Sequence, residues 1–351
     1  MKTSTSKRLR WNVAIWLAAG LFMTSTAGMA SGPIMPDPKA EARHQPQVEE
    51  TANGIPLVNI TAPSSGGVSR NEYETFNVPD KGAILNNSYT LSKTELAGYV
   101  QGNNNMAERP AKIIVNEVTG AGSTSMDGFL EVAGNRADVV IANPNGITVN
   151  GGGFINTGKA FLTTGKPVYD GEDHLQRFDI TGGDILIEGK GLGGKETGSL
   201  AILSRAVRIN AGIWAKDLHI TTGANSIDAK TLEASAIEGK GGRPAFALDT
   251  AAIGGMYAGR ITLVGTEKGL GVNNSGTWSA EDNLILDWNG DLKNSGTIYS
   301  KGNTDLRASR LENDKTIAAG KDITISADRH VTNTGTVGAG INEIGKLTET
   351  G

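Results

Sequence analysis

The chain contains no cysteine among its 351 residues, and only 5% of them are aromatic. The absence of cysteine excludes disulfide frameworks, cysteine-ligated zinc or iron–sulfur sites and thiol catalysis. With so few aromatic side chains, the core must be a thin stack of valine, isoleucine, leucine and alanine. A basic excess is also missing, since 33 Lys+Arg face 37 Asp+Glu. This charge balance argues against a nucleic-acid partner.

Glycine is abundant instead. The 48 glycines are about twice the ordinary usage. The chain is 38% hydrophobic and 20% charged, which is too apolar for wholesale disorder. The composition therefore predicts an ordered protein with many tight corners.

The N-terminus reads as an export signal. Lys2, Lys7, Arg8 and Arg10 precede the apolar stretch Trp11–Met23, and small residues follow up to Ala30. This pattern is typical of a secretory signal peptide over residues 1–30, and the apolar stretch is shorter than a membrane span needs. Its removal leaves 29 basic and 37 acidic residues, a net charge of −8. We expect an acidic, exported protein.

Residues 31–52 are rich in Pro, Glu and Gln. This composition predicts a disordered leader. The first ordered strand is expected over Asn53–Ile60, followed by turn residues at 63–67.

The C-terminal part is a repeat. Asn274, Asn294, Asn313 and Asn333 each begin a short Asn-x-x-Thr motif, at spacings of 20, 19 and 20 residues. Short alternating strands with Gly and Asn at the turns predict a parallel β-solenoid, with about 15 coils if the 20-residue period holds along the mature chain. Asparagines at a fixed register can stack into ladders that satisfy their amide groups.

Equivalent offsets from these asparagines predict which strand residues face the solenoid interior, since alternate residues face opposite sides. The predicted inward set is Leu284, Leu286, Ile323 and Ile325, and the predicted outward pair is Ile285 and Thr324.

Some residues also allow a catalytic or ligand-binding interpretation. Polysaccharide enzymes on β-helices need clustered carboxylates, and the densest run here, Asp170–His174, fits a solvated loop. His44, His174, His219 and His330 are far apart in sequence, and His219 fits an outward strand position. The stretch 189–196 lacks the hydroxyl residue of a phosphate-binding loop, because Glu196 stands there. Trp214, Trp278, Trp288, Tyr257 and Tyr299 fit packing positions, with sugar stacking as the open alternative.

Eight sequence stretches resemble, in order, one protein family. They are residues 69–78, 82–88, 114–118, 130–134, 142–147, 153–157, 203–207 and 254–259. The resemblance is to the two-partner secretion domain (haemagglutination activity domain) of filamentous haemagglutinin-like and contact-dependent inhibition exoproteins. Many relatives carry two cysteines where this chain has Val149 and Gly152.

The resemblance implies an all-β fold, a right-handed single-stranded parallel β-helix with an N-terminal cap. It implies a secretion-domain core over residues 53–180, a β-helix extension over 181–270, and haemagglutinin-type repeats of about 20 residues over 271–351 that end mid-repeat, as in a truncated product.

The resemblance also implies how such a protein works. It passes the general secretory translocon into the periplasm and then crosses the outer membrane through a β-barrel partner, whose periplasmic domains recognise the secretion domain by β-augmentation. The product is secreted or held at the cell surface. It serves adhesion, haemagglutination or contact-dependent growth inhibition, with glycans or receptors on host or neighbouring cells as targets. No enzyme activity, cofactor, metal or nucleic-acid partner is implied. The rival class is an extracellular β-helix polysaccharide lyase or hydrolase.

The candidate secretion motif has two parts within these stretches. Pro144 fixes φ and Asn145-Gly146 favours a turn, so a structural corner and a direct transporter contact both remain open. Phe76 is expected to fill the cap and Asn77 to satisfy backbone groups there. The candidate residues are Asn71, Phe76, Asn77, Asn143, Pro144, Asn145, Gly146 and Ile147.

Overall fold

The computed structural model describes residues 32–107, 109–342 and 346. The predicted signal peptide lies outside these residues. Within them the chain is built from short strands and two single-turn 3₁₀ helices, Ala42–His44 and Asn104–Met106. None of the described segments forms a helix long and apolar enough to cross a membrane.

The strands follow one another closely along the described residues. The first fourteen are β1 Ile34–Pro36, β2 Gln47–Glu50, β3 Pro56–Asn59, β4 Val68–Phe76, β5 Ala83–Asn87, β6 Ser92–Thr94, β7 Gly98–Val100, β8 Ile113–Val118, β9 Thr124–Met126, β10 Phe129–Gly134, β11 Ala137–Ala142, β12 Ile147–Val149, β13 Gly152–Ile155 and β14 Thr157–Thr163. The next eleven are β15 Lys166–Tyr169, β16 Leu175–Ile180, β17 Asp184–Ile187, β18 Leu192–Gly194, β19 Ser199–Ser204, β20 Ala206–Ile209, β21 Gly212–Thr222, β22 Asn225–Asp228, β23 Ala234–Ala236, β24 Phe246–Thr250 and β25 Gly255–Gly265. The last eleven are β26 Gly271–Asn274, β27 Thr277–Ala280, β28 Leu284–Trp288, β29 Asp291–Asn294, β30 Thr297–Ser300, β31 Thr304–Ala308, β32 Arg310–Asn313, β33 Thr316–Ala319, β34 Ile323–Ala327, β35 Val331–Asn333 and β36 Thr336–Ala339.

Successive coils pair in parallel, which makes the fold the predicted parallel β-helix. A nine-stranded sheet runs in the order β35-β32-β29-β26-β24-β20-β17-β12-β9, one strand per coil. A 21-stranded sheet forms the other faces. In β28, β31 and β34, for example, Leu286, Leu306 and Ile325 lie in one register row.

The expectation of about 15 coils is wrong, because the nine-stranded sheet has nine rungs within the described residues. The 20-residue period holds only in the C-terminal repeats. Earlier coils are longer because they carry strands outside the solenoid: the hairpin β6–β7 and the four-stranded antiparallel sheet β15-β16-β22-β23.

The prediction of a disordered leader at residues 31–52 is also wrong. β1 pairs antiparallel with β4, and β2 pairs antiparallel with β3. These segments, residues 34–50, are termed the cap. They cover the edge that the first coil would otherwise expose, where unpaired backbone groups would invite aggregation. Polar composition misled the prediction because the cap buries few side chains, chiefly Ile34 and His44.

One apolar core runs through the solenoid. Leu284 and Leu286 are buried, whereas Ile285 is 38% exposed. Ile323 and Ile325 pack against the same core, and Thr324 is exposed. The predicted inward and outward sets are therefore confirmed. Trp278 and Trp288 are also interior, where their indole N–H groups donate to Thr250 Oγ1 and the Leu270 carbonyl.

The predicted asparagine ladder is present at the turns. The Nδ2 group of Asn274 donates to Asn294 Oδ1 at 2.8 Å, Asn294 donates to Asn313 at 2.7 Å, and Asn313 donates to Asn333 at 2.7 Å. The first three of these asparagines are fully buried. Each rung satisfies an amide that would be costly to bury alone.

We predict that Leu286→Ala lowers the free energy of unfolding by about 2–5 kcal/mol, because it removes a buried side chain from a stack that cannot fully collapse. Ile285→Ala is the matched control on the adjacent, outward position, and its cost should stay below about 1 kcal/mol. Urea unfolding of protein beginning at Ser31 measures both. Equal costs for the two variants would contradict the register.

His219 lies on the outward face of β21, in register with Ala201 and Thr262. Its Nε2 atom is 2.8 Å from Thr221 Oγ1. Burial lowers the pKa of His219 from 6.5 to about 4. The imidazole is therefore neutral in the folded protein at neutral pH.

A lowered histidine pKa predicts a pH-dependent stability. Because the unfolded chain binds the proton below pH 6.5 and the folded chain only below about 4, stability is fully present above pH 6.5 and is lost as the pH falls towards 4. Between pH 7 and pH 4.5 the free energy of unfolding should fall by about 2–3 kcal/mol less in His219→Gln than in the wild type. Urea midpoints at pH 7 and pH 4.5 measure it. An unaltered pH profile in His219→Gln would refute the assignment.

Candidate functional site

The predicted secretion-motif residues separate into two groups. Asn71, Phe76 and Ile147 are interior, at 0%, 1% and 2% exposure. Asn77 and the turn Asn143–Gly146 lie at one corner of the solenoid, where the chain passes from the large sheet to the nine-stranded sheet. The loop 119–123 lies between them. This set, Asn77, residues 119–123 and Asn143–Gly146, is termed the asparagine corner.

The turn Asn143–Gly146 follows the local chemistry of its sequence. Asn143 Oδ1 accepts from the backbone N–H of Asn145 at 2.9 Å, and the Gly146 N–H donates to the Asn143 carbonyl at 3.1 Å. Gly146 has φ of 110°, which a side chain would strain. The predicted corner between two strands is therefore present.

Both asparagines of this turn reach back to the preceding coil. Asn143 Nδ2 donates to the Gly122 carbonyl and to Thr124 Oγ1, each at 3.0 Å. Asn145 Nδ2 donates to the Gly120 carbonyl at 2.8 Å. Asn143 is fully buried while doing so. The turn thus fixes the shape of the loop 119–123, whose carbonyls have no strand partner.

Asn77 binds β9, the strand that follows this loop. Its Oδ1 atom accepts from the Ser125 N–H at 2.8 Å, and its own N–H donates to the Pro33 carbonyl at 2.9 Å. Gly120 also packs closely there, since a Cβ on it would lie 2.0 Å from the Glu74 carbonyl oxygen. The corner therefore joins the cap, the first coil and the two coils that follow. The Asn77 side chain does satisfy a backbone group, but this group belongs to Ser125 of β9 and not to the cap.

The surface of the asparagine corner is polar and neutral. Pro144, Asn145, Thr119 and residues 121–123 are exposed. The Thr119 hydroxyl donates to Asp37 Oδ2 at 2.6 Å, and this hydrogen bond lowers the pKa of Asp37. The exposed groups can donate and accept hydrogen bonds, which suits recognition of a polar partner.

The interior candidates have structural contacts. Asn71 Oδ1 accepts from the Thr61 N–H at 2.9 Å, and Asn71 Nδ2 donates to the Val115 carbonyl at 3.2 Å. Phe76 packs on Tyr73, with ring centroids 4.8 Å apart, and pairs in register with Ile34 of the cap. A partner could touch these side chains only on an unfolded chain.

A buried charged network near the cap was not foreseen. Arg70 lies 2.9 Å from Glu72 and 3.4 Å from Glu117, and its guanidinium stacks on the Tyr169 ring at 4.4 Å. The cap joins through His44, whose Nδ1 is 3.0 Å from Glu72 Oε1. Desolvation raises the pKa of Glu117, partly offset by Arg70. The network holds the cap and the β15–β16 hairpin to the first coils.

One sequence signal could have revealed this network. Glu117 interrupts the apolar run of β8, and Arg70 and Glu72 alternate in β4 with inward residues. The run Asp170–His174, expected as a solvated loop, contributes as well: Asp173 lies 2.8 Å from Arg43 of the cap. Among the residues that the structure describes, no group of three or more His, Asp or Glu is arranged to hold a metal ion.

Comparisons with known proteins agree with this geometry. The family description "TPS secretion domain" matches residues 33–298. The chain is 42% identical over 298 residues to "Toxin CdiA" of Yersinia pestis, covering 78% of this chain and 9% of that protein. It is 41% identical over 308 residues to "16S rRNA endonuclease CdiA" of Enterobacter cloacae subsp. cloacae, covering 87% of this chain and 9% of that protein. A crystal structure of the filamentous hemagglutinin secretion domain matches with a TM-score of 0.66 and 30% identity, over 88% of this chain and all of that one.

We predict that Asn143→Ala costs about 1–3 kcal/mol of stability, because it leaves the buried Thr124 hydroxyl without its donor and removes one of the two amides that donate to the Gly122 carbonyl. Pro144→Ala, one residue away on the exposed side of the same turn, should cost less than about 1 kcal/mol, mainly through the unfolded chain. Urea unfolding curves of the two variants test this. A larger loss in Pro144→Ala than in Asn143→Ala would show that the buried amide does not hold the corner.

Proposed function

Because this chain belongs to the family of TPS secretion domains, we propose that it is the N-terminal, transporter-recognised part of a longer exoprotein. The observation that carries the proposal is the family match over residues 33–298, which includes the cap, the asparagine corner and most of the solenoid. The chain spans only 9% of the length of each of the two relatives compared above. The activity of the whole protein therefore lies largely outside it.

The proposed route follows from the N-terminal segment and the composition. Residues 1–30 direct the chain through the general secretory translocon into the periplasm. An outer-membrane transporter then binds the secretion domain and passes the chain to the outside, where it is secreted or stays at the cell surface. An acidic chain without cysteine forms no disulfides that would block passage in an extended state.

The asparagine corner is the proposed contact for the transporter's periplasmic domains. Pro144 and Asn145 are exposed at its surface, whereas Asn143, Gly146 and Ile147 are buried and shape it. Of the eight candidate residues, Asn71 and Phe76 act on the corner through the cap and the first coil. In this proposal, the exposed Pro144 and Asn145 contact the transporter directly, and the other candidate residues do not.

The exoprotein is proposed to act in contact-dependent growth inhibition, with adhesion to cell-surface glycans or receptors as the related role. The relatives named as CdiA toxins support this assignment. Some of these relatives are named as nucleases, and those names describe the relatives and not this chain. In this chain we assign no catalytic residue. The alternative of a β-helix polysaccharide lyase or hydrolase finds no support among these relatives.

We predict that Pro144→Ala and Asn145→Ala each reduce export by about tenfold, the loss expected when an interface anchor is truncated. Cells that carry the cognate transporter would express the full chain, and immunoblots of medium and periplasm would give the exported fraction. The control is Asn135→Ala, at an exposed asparagine of a different corner. Unfolding midpoints of the purified variants are measured in parallel.

Loss of export in proportion to loss of stability would mean that the corner only supports the fold. Export of a deletion lacking residues 53–160 at the wild-type level would overturn the whole assignment. A reporter fused after residue 260 should be exported with the transporter and retained without it.

A further inference from the structure

A strip of aromatic side chains lies on the outside of the solenoid, on strands of the 21-stranded sheet. One register row crosses β10, β13, β18, β21 and β25 and contains Phe129, Gly153, Gly193, Trp214 and Tyr257. At about 4.8 Å per strand this row is about 19 Å long. Phe129, Trp214 and Tyr257 are termed the aromatic strip.

Glycines form the floor under these rings. A Cβ on Gly153 would lie 2.4 Å from the Phe129 ring, and one on Gly212 would lie 2.5 Å from the Trp214 ring. A Cβ on Gly255 would lie 2.9 Å from the Tyr257 ring. The rings therefore lie against the backbone in space that only glycine leaves free. Trp214 and Tyr257 are nearly parallel, at 16°, with centroids 6.1 Å apart.

The strip remains open to solvent. Phe129 is 43% exposed and Tyr257 is 39% exposed. Single exposed aromatic residues are ordinary on a protein surface, but several aligned in one row indicate a binding surface. Trp278 and Trp288, by contrast, point into the core.

The charged groups beside the strip are basic. A depression of about 590 Å³ is lined by both rings, by Ser279 and by the side chains of Lys195 and Lys216. Both lysines are exposed and neither has an ion-pair partner among the described residues. The acidic residue at its edge, Glu281, is paired with Lys301. The depression thus offers free positive charge on an otherwise acidic chain.

We propose that the aromatic strip binds an extended polysaccharide whose pyranose rings carry carboxylates. Flat rings match the apolar faces of pyranoses, the Tyr257 hydroxyl and Ser279 can hydrogen-bond sugar hydroxyls, and the lysines pair with carboxylates. The length of the strip fits a chain rather than a single sugar.

Titration of purified protein beginning at Ser31 with oligomers of polygalacturonate tests the proposal. Binding is followed by calorimetry and by the emission of Trp214, which is the partly exposed tryptophan of the described residues. Tyr257→Ala should weaken binding by about tenfold. The pair Lys195→Gln and Lys216→Gln should weaken it further and reduce its salt dependence.

The matched control is Tyr99→Ala, a 69% exposed tyrosine outside the register row of the strip, which should bind like the wild type. Trp214→Phe should abolish the emission change, which assigns that signal to Trp214. Equal binding of wild type and Tyr257→Ala overturns the proposal, and so does dextran binding as tightly as polygalacturonate. Self-association abolished by Tyr257→Ala, without sugar binding, would instead make the strip a contact between copies of this chain.

Discussion

Each coil of this solenoid is held by the backbone hydrogen bonds it makes to the coils on either side, so a free coil edge is the principal structural liability. The cap covers that edge at the N-terminal end, where β1 pairs antiparallel with β4 and β2 pairs antiparallel with β3. The same constraint explains the corners. In the loop 119–123 the carbonyls of Gly120 and Gly122 lack strand partners, and asparagine amides from the next coil supply the missing donors.

Asparagine side-chain amides form hydrogen bonds in two different arrangements. In the C-terminal repeats the side chains bind one another, so the ladder Asn274–Asn333 repeats itself from coil to coil. At the asparagine corner, Asn143 and Asn145 instead bind the carbonyls of a glycine-containing loop. A ladder can extend without limit, whereas the corner is a unique arrangement. Unique surface geometry is what a specific partner can recognise.

The sequence was most informative where one rule acts alone. The 20-residue spacing and strand alternation predicted the interior position of Leu284 and Leu286, because register rows in a β-helix leave no other choice. Prediction failed where the local composition and the pairing between distant strands favour different structures. The cap is polar in composition, yet it is ordered by edge pairing, which composition does not report. The coil number failed because the excursions at residues 165–180 and 223–236 consume chain without adding rungs. The Arg70–Glu117 pairing depends on register between β4 and β8, which no local pattern specifies.

Burial at the asparagine corner separates two ways in which a transporter could read it. On the folded protein only Pro144 and Asn145 of the turn are within reach, and the loop that Asn145 contacts is held to the cap by the hydrogen bond from Thr119 to Asp37. The corner is therefore complete only when the cap is in place, and a partner that binds it binds a folded N-terminus. On an extended chain Asn71, Phe76 and Asn143 become equally available, and nothing distinguishes them from Asn145. The relative effect of buried and exposed residues on binding thus reports the folding state that the partner recognises, because the interior contacts exist in only one of the two states.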